Sequence, residues 1–343
     1  MDMNLITGEL AGPTEILARM GLVNSDEEPV YESLVGGVSS EIVRVDSLRG
    51  RMVFKRALAK LKVESDWTAP LERNSAEVQW MKVVKKIVPN AVPEILGQDK
   101  AAFAFAMDYL DPELYPVWKN QLRDGVIEIG TAQLVAETLV GIHAATANDE
   151  SIKKAFSNDA NFYALRLEPY FLAVAAIHSD CRNALGSLIE TTAETRLALI
   201  HGDVSPKNIL VGANGPVFLD AECASYGDPA FDLAFCLNQL LLKCVWRPAY
   251  SSAYLECFDL LASTYLSKVC WESVDDIEQR VAALIPGMLV ARVDGKSPAE
   301  YIIRDSERRF IRTFGIRFLL RQTSKISTLR AAWSREFDTF TNI

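Results

Sequence analysis

A chain of 343 residues has room for two lobes with substantial cores, and 49% hydrophobic against 24% charged residues is an ordinary balance for a globular protein. The formal net charge of −9 repels phosphodiester backbones and anionic membrane surfaces, which argues against nucleic acid and membranes as partners. An anionic ligand would have to be received by local positive groups.

The first residues, Met1-Asp2-Met3-Asn4-Leu5, lack a basic n-region and a continuous apolar h-region. No uninterrupted apolar run approaches the roughly 20 residues of a membrane span. The six cysteines (Cys181, Cys223, Cys236, Cys244, Cys257 and Cys270) show no Cys-x-x-Cys pairing and read as reduced, mostly buried thiols. A cytoplasmic protein is expected. Nothing in the composition bears on oligomeric state.

Pro13 to Leu22 reads as a short helix, followed by the polar loop Asn24 to Pro29. A strand over Tyr31 to Val35, a turn over Gly36-Gly37-Val38-Ser39-Ser40 and a second strand over Glu41 to Val45 follow. Gly36 and Gly37 permit close approach of the backbone to a ligand, and Ser39 or Ser40 can donate to a phosphate. The same Gly-Gly pair also reads as an ordinary turn. In Arg51 to Arg56 the period of two puts Met52 and Phe54 on one face and Val53 and Lys55 on the other.

Ser75 to Val88 predicts a helix with an apolar stripe of Val78, Met81, Val84, Ile87 and Val88, ended by Pro89. Glu77 borders that stripe. Phe103 to Leu110 reads as a strand running into the Asp111-Pro112 turn. Thr131 to Ala145 predicts a helix with Leu134, Val135, Leu139 and Ile142 on one side and His143 packed at its end. Leu165 to Ile177 and Arg182 to Thr195 are helical stretches, the second leading into a strand over Leu197 to Ile200.

The densest cluster of polar groups lies between His201 and Glu222. Two short apolar runs flank Asn214-Gly215, a strong tight-hairpin signal. Folding the chain there brings Asn208 opposite Asp220 to within a residue of register, with Asp203 on the preceding loop. Two carboxylates and an amide at the open end of a β ribbon are the hard oxygen ligands that Mg²⁺ prefers. Gly227-Asp228-Pro229 then turns the chain into a helix over Phe231 to Cys244. Further helices are predicted over Tyr250 to Val269, Val274 to Leu284 and much of Ala299 to Leu329, with a charged turn over Ala291 to Pro298.

His201-Gly202-Asp203, Asn208, the apolar pair before Asp220, and Gly227-Asp228-Pro229-Ala230-Phe231-Asp232 together resemble the aminoglycoside phosphotransferase and choline kinase family of small-molecule kinases. The Asp203 to Asn208 interval matches the Asp-x-x-x-x-Asn spacing of the protein-kinase catalytic loop. The resemblance implies an α+β, bilobal, protein-kinase-like fold. A small antiparallel-sheet lobe with one helix (1–108) would bind nucleotide, and a larger, mainly helical lobe (109–343) would carry catalysis and the acceptor.

It also implies roles. Asp203 would be the catalytic base toward an acceptor hydroxyl, with Asn208 and Asp220 holding Mg²⁺ and Glu222 as a second metal contact. Lys55 would steady the α- and β-phosphates of ATP or GTP, paired with Glu77, with Glu72 as the competing carboxylate. The Gly36 to Ser40 loop would cover those phosphates. Backbone groups near Met107 and Tyr109 would meet the base, leaving adenine and guanine undistinguished. His201, Asp228 and Asp232 would organise the catalytic loop. The acceptor would be a sugar, an amino alcohol or an aminoglycoside-like compound, contacted by Lys207, Arg292 and Asp294.

One departure matters. Ser205 stands where many relatives carry histidine and protein kinases carry lysine, and Lys207 supplies a cation two residues later. Lys207 on the acceptor side would favour a neutral or anionic acceptor over choline or an aminoglycoside. Two other readings stay open: a protein kinase, although no long activation segment or Ala-Pro-Glu follows Asp220, and a catalytically weak nucleotide-binding regulatory protein.

Overall fold

A computed structural model describes residues 11–34, 39–60 and 69–341. Gly36 and Gly37 lie outside the described residues. The chain has a bilobal α+β fold. Helix α1 (Pro13–Arg19) precedes a five-stranded antiparallel sheet of β1 (Val30–Ser33), β2 (Ser40–Ser47), β3 (Gly50–Ala57), β4 (Ile95–Asp99) and β5 (Ala104–Asp108), in the order β1-β2-β3-β5-β4. Helix α2 (Arg73–Ile87) joins β3 to the second half of the sheet.

Alternation along the strands decides what each face holds. Met52 and Phe54 pack with Val43, Val45, Ala104 and Ala106 against Ile16 and Leu17 of α1. Val53, Phe105 and Met107 turn the other way, into the main core with Val78, Met81 and Val84 of α2. Lys55 shares that second face and is only 2% exposed. Arg56 points oppositely and pairs with Glu41. Strand β4 carries no clear sequence signal: it is a polar edge strand with a glycine and a register shift between Ile95 and Gly97.

The helical lobe runs through α3 (Trp118–Asp124), α4 (Ile129–Thr146), α5 (Glu150–Ala155) and α6 (Asp159–Phe162). A wide π-type segment (Tyr163–Leu172) then leads into α7 (Ala173–Ile177) and α8 (Arg182–Glu194). Short strands β6 (Ala198–Ile200), β7 (Ile209–Gly212), β8 (Gly215–Phe218) and β9 (Ser225–Gly227) come next. The chain ends with α9 (Pro229–Trp246), α10 (Ser251–Ser267), α11 (Val274–Asp294), α12 (Asp305–Arg321) and α13 (Ile326–Thr341). No helix among the described residues is long and apolar enough to cross a membrane. All six cysteines are free, five of them buried.

Three local expectations are corrected. Leu134 is 47% exposed, because Val135, Leu139 and Ile142 define the buried face of α4 and Leu134 lies a residue off it. The stretch over 165–177 is not a regular helix. Pro169 has no N–H to give, and the Ala173 N–H reaches back to the Glu168 carbonyl, opening a wider turn. Helix α11 continues through Pro286 as far as Asp294, so Arg292 and Asp294 belong to its last turn, not to a loop.

Helices α11 and α12 approach closely at Gly315. A Cβ there would lie 2.6 Å from Val290 Cγ2 and 2.9 Å from the Pro286 carbonyl oxygen. Gly315→Ala therefore forces the helices apart, and a loss of about 1–3 kcal/mol in unfolding free energy is expected in urea titration. An unchanged midpoint would mean that the crossing is loose.

Candidate active site

Strand β6 pairs with β9 and delivers the chain to the loop His201 to Asn208; β7 and β8 then form a ribbon. Gly212 faces Gly215, so the two-residue turn is Ala213-Asn214, one residue earlier than expected, and Gly215 takes a left-handed φ of 111°. Beyond the ribbon, the Leu219 N–H donates to the Asn208 carbonyl at 2.9 Å, which places Asp220 one residue past Asn208 in register. Asp220 itself has φ 67°, a left-handed conformation that aspartate tolerates and that recurs at functional sites.

The loop is held from below by one carboxylate. Asp232, fully buried in the first turn of α9, accepts the His201 and Gly202 N–H groups at 2.7 and 2.8 Å. His143 Nε2 lies 3.3 Å from it, and Tyr265 closes the chain at 2.6 Å from His143 Nδ1. Asp228 caps α9 through the Ala230 N–H and takes a two-point pair from Arg280 at 3.0 and 3.2 Å. Gly202 has φ 78°, and a Cβ there would sit 2.7 Å from Cys223 Cβ. Glycine is required on both counts.

His201 is an organiser of the backbone. Its Nε2 faces the Leu219 carbonyl at 3.0 Å, which can only accept, so Nε2 carries the proton and Nδ1 accepts the Asp203 N–H at 3.2 Å. Burial holds this imidazole below its ordinary value despite Asp232, Asp203 and Asp220 nearby.

Asp203 is 5% exposed, and its Oδ2 meets Arg166 Nη2 at 2.9 Å and Lys207 Nζ at 3.3 Å. Arg166 also donates to the carbonyls of Gly202 and Leu165, at 2.5 and 2.6 Å. Nothing in the sequence marks Arg166; it is an arginine between two leucines, brought under the loop by the π-type segment. Asp203 raises the Lys207 ammonium above its usual value, while the lysine stem remains solvent-exposed. Asn208 donates through Nδ2 to the Asp203 carbonyl at 3.1 Å, which leaves Oδ1 as its acceptor end. Ser205 Oγ is buried without a hydrogen-bond partner among the described residues.

From the sheet, Lys55 Nζ reaches Glu77 at 2.7 and 2.9 Å, Asp220 Oδ1 at 2.5 Å and Glu222 at 3.2 Å. Glu77, not Glu72, takes the lysine. Burial opposes the Lys55 charge, yet Asp220, Glu77 and Glu222 hold it well above the ordinary lysine value. Burial alone would raise Asp220, but Lys55 and Lys207 hold it well below the usual carboxylate range. Burial pushes Glu77 up to about 8, with Lys55 opposing and Asp220 and Glu222 reinforcing. Oxygens of Glu77, Asp220 and Glu222 lie within 4.8 Å of one another. The three carboxylates therefore face Lys55 and Arg73, with Lys207 also acting on Asp220.

Several expected ligand contacts are otherwise engaged. Ser39 and Ser40 both donate to Glu222 Oε1, at 2.9 and 2.7 Å, so their hydroxyls tie the start of β2 to the helical lobe. Glu222 Oε2 takes Arg73, a fully buried side chain that also binds the Ser39 and Leu58 carbonyls. Glu222 is thus a junction between lobes, with its oxygens already occupied. Asp294 pairs with Arg312 and His178, away from Asp203, because two residues along a helix turn a side chain by about 200° from Arg292. Met107 is buried within the sheet opposite Val53 and Ile95, and Tyr109 lies under the Arg44 guanidinium.

Residues 30–265 match the phosphotransferase enzyme family. The sequence is 26% identical over 225 residues to methylthioribose kinase 1 of Oryza sativa subsp. japonica, covering 56% of this chain and 51% of that protein. The chain thus spans about half the length of this curated relative. Among solved structures, an ethanolamine kinase of Plasmodium vivax aligns with TM-score 0.56 at 12% identity, over 90% of this chain and 87% of that one. A choline kinase of Streptococcus pneumoniae aligns with TM-score 0.51 at 16% identity, over 89% and 98%. At such identities the structures share the fold.

The buried, neutral His201 gives a pH dependence whose sign follows from linkage. The unfolded histidine takes a proton near pH 6.5, whereas the folded one resists it, so the unfolded state binds more protons and stability falls as pH drops below about 6.5. Denaturation between pH 7.5 and 5 is expected to show this loss, and His201→Gln to lack that part of the slope. Equal slopes in the two proteins would contradict the assignment.

Proposed function

The chain belongs to the phosphotransferase enzyme family, and from that premise we propose that it is a small-molecule kinase. It would move the γ-phosphate of a nucleoside triphosphate, ATP in the first instance, to a hydroxyl of a small acceptor. The observation that carries this reading is Lys55, held by Glu77 and aimed at Asp220 from a separate lobe, with Asn208 and Asp203 beside it on one loop. In this reading residues 1–108 receive the nucleotide and residues 109–343 supply catalysis and the acceptor site, in the cytoplasm and without nucleic acid or membrane partners.

Phosphoryl transfer asks a protein mainly for positioning and charge compensation. Lys55 is the cation suited to the nucleotide phosphates, preset by Glu77. The 30% exposed Asp220 side chain, kept ionised by Lys55 and Lys207, and the acceptor end of the Asn208 amide fit a hard divalent ion such as Mg²⁺. When bound, that ion supplies neutralisation of charge on the phosphate oxygens. Asp203 orients the acceptor hydroxyl and takes its proton. Arg166 fixes the rotamer of Asp203, and Asp232 fixes the backbone that carries it. The engaged serines leave phosphate covering to other groups of the nucleotide lobe.

The names of the curated relatives put methylthioribose on the acceptor panel, beside sugars, amino alcohols and aminoglycosides. Asp203→Asn keeps shape and hydrogen bonding but not basicity. A fall of about 10²- to 10⁴-fold in transfer is expected, with nucleotide affinity retained. The assay is ADP release across that panel. Full transfer by the variant would remove Asp203 as base, and nucleotide binding with no transfer to any acceptor would favour the regulatory reading.

A further inference from the structure

Behind the Asp203 loop lies a second polar constellation that the transfer chemistry does not use. One face of α9 carries Phe235, Gln239 and Lys243 at successive four-residue steps. Lys243 is 1% exposed, and its ammonium donates to the Tyr301 hydroxyl at 2.8 Å. Tyr301 in turn donates to Gln239 Oε1 at 3.2 Å. Arg292, in the last turn of α11, donates through Nη1 to the Ser297 carbonyl and meets the Tyr170 hydroxyl at 3.4 Å and Ser297 Oγ at 3.2 Å, while its buried Nε has no partner among the described residues. Tyr170 connects this group to the base, since the Arg166 guanidinium that holds Asp203 lies 5.9 Å over its ring.

Among the described residues, neither Lys243 nor Arg292 has a carboxylate within 4 Å. The nearby Glu300 is taken by Lys119. Buried charges are ordinarily paired, and an unpaired one is costly. Burial, with Lys119 and Arg292 close by, holds the Lys243 amine well below its ordinary value against the pull of Glu300, a penalty that an incoming anion would relieve. The aromatic faces point the same way. Trp246 and Tyr301 stack at 4.5 Å, a surface that could receive an ammonium ligand, but the protein's own Lys243 sits 3.9 Å from the Tyr301 ring and 5.0 Å from Trp246.

We propose that Arg292 and Tyr301, backed by the charge of Lys243, form an anion subsite that binds a carboxylate or phosphate group of the acceptor, so that the substrate is an anionic hydroxyl compound. This rests on the kinase reading for the identity of its ligand as acceptor. Arg292 presents the guanidinium fork suited to a carboxylate or phosphate. An alkylammonium alcohol finds the aromatic faces already filled by Lys243, with the Arg292 guanidinium close by.

The test uses the full chain saturated with the non-hydrolysable analogue AMP-PNP and Mg²⁺, so that the nucleotide's own phosphate groups are in place. Calorimetry compares ribose 5-phosphate with ribose, gluconate with sorbitol, and choline as the cation. At least one anion is expected to bind saturably and at least tenfold more tightly than its neutral counterpart. The phosphate and carboxylate arms decide between the two anionic groups. Arg292→Gln should weaken that binding at least tenfold and Lys243→Met at least threefold, with AMP-PNP affinity within twofold of wild type. Lys243→Met keeps an unbranched side chain of similar length in an apolar setting, so it tests the charge even where Arg292→Gln disturbs the fold. Absence of anion binding, equal binding of the neutral compounds, tighter choline binding, or unchanged affinity in Lys243→Met overturns the subsite. Anion binding with the expected mutant losses, but no ADP release when ATP replaces AMP-PNP with the bound anion or any other acceptor, supports the subsite and overturns the kinase reading instead.

Discussion

A single buried ammonium ties the two lobes together. Lys55 leaves the sheet, is only 2% exposed, and is gripped by Glu77 from its own lobe and by Asp220 and Glu222 from the other. A charge so placed is tolerable only with close partners, since desolvation costs several kcal/mol per ion. The closeness of the lobes is therefore an electrostatic requirement as much as a packing one. Arg73 repeats the arrangement a few ångströms away, joining Glu222 to the carbonyls of Ser39 and Leu58. Together they make the cleft a junction of paired buried charges.

Opposite that junction the loop from His201 to Asn208 is held for a different reason. Its backbone is bonded to Asp232, its histidine bridges Leu219 and Asp203, and its glycine passes against Cys223 where no side chain would fit. Asp232 is itself completed by His143 and Tyr265, so the loop hangs from a buried polar chain running into the helical core. Such a chain is stabilising only when every member is satisfied. The loop thus inherits its order from α4, α9 and α10.

The family fold constrains the acceptor much less than it constrains the nucleotide side. The α9 face that carries Gln239 and Lys243 is met here by Tyr301, with Arg292 of α11 beside it. A common scaffold can turn to different acceptors by changing a few side chains on helices that the transfer chemistry leaves free.

Read from the chain alone, the strand face carrying Lys55, the stripe of α2 beside Glu77, the β ribbon and the spacing from Asp203 to Asn208 were all legible, because each is set by neighbours within a few residues. The resemblance to phosphotransferases rested on those same local intervals. Arg166, Arg73 and Lys243 were not legible. Their roles depend on residues tens to more than a hundred positions away, and an arginine or lysine in an apolar helix has no local mark to separate it from a solvated one. The engagement of Ser39 and Ser40 by Glu222, the turn at Ala213-Asn214 and the facing of Asp294 away from Asp203 were likewise decided only in three dimensions. Periodicity and turn chemistry specify what each segment becomes; which buried charge meets which partner is a property of the packed whole.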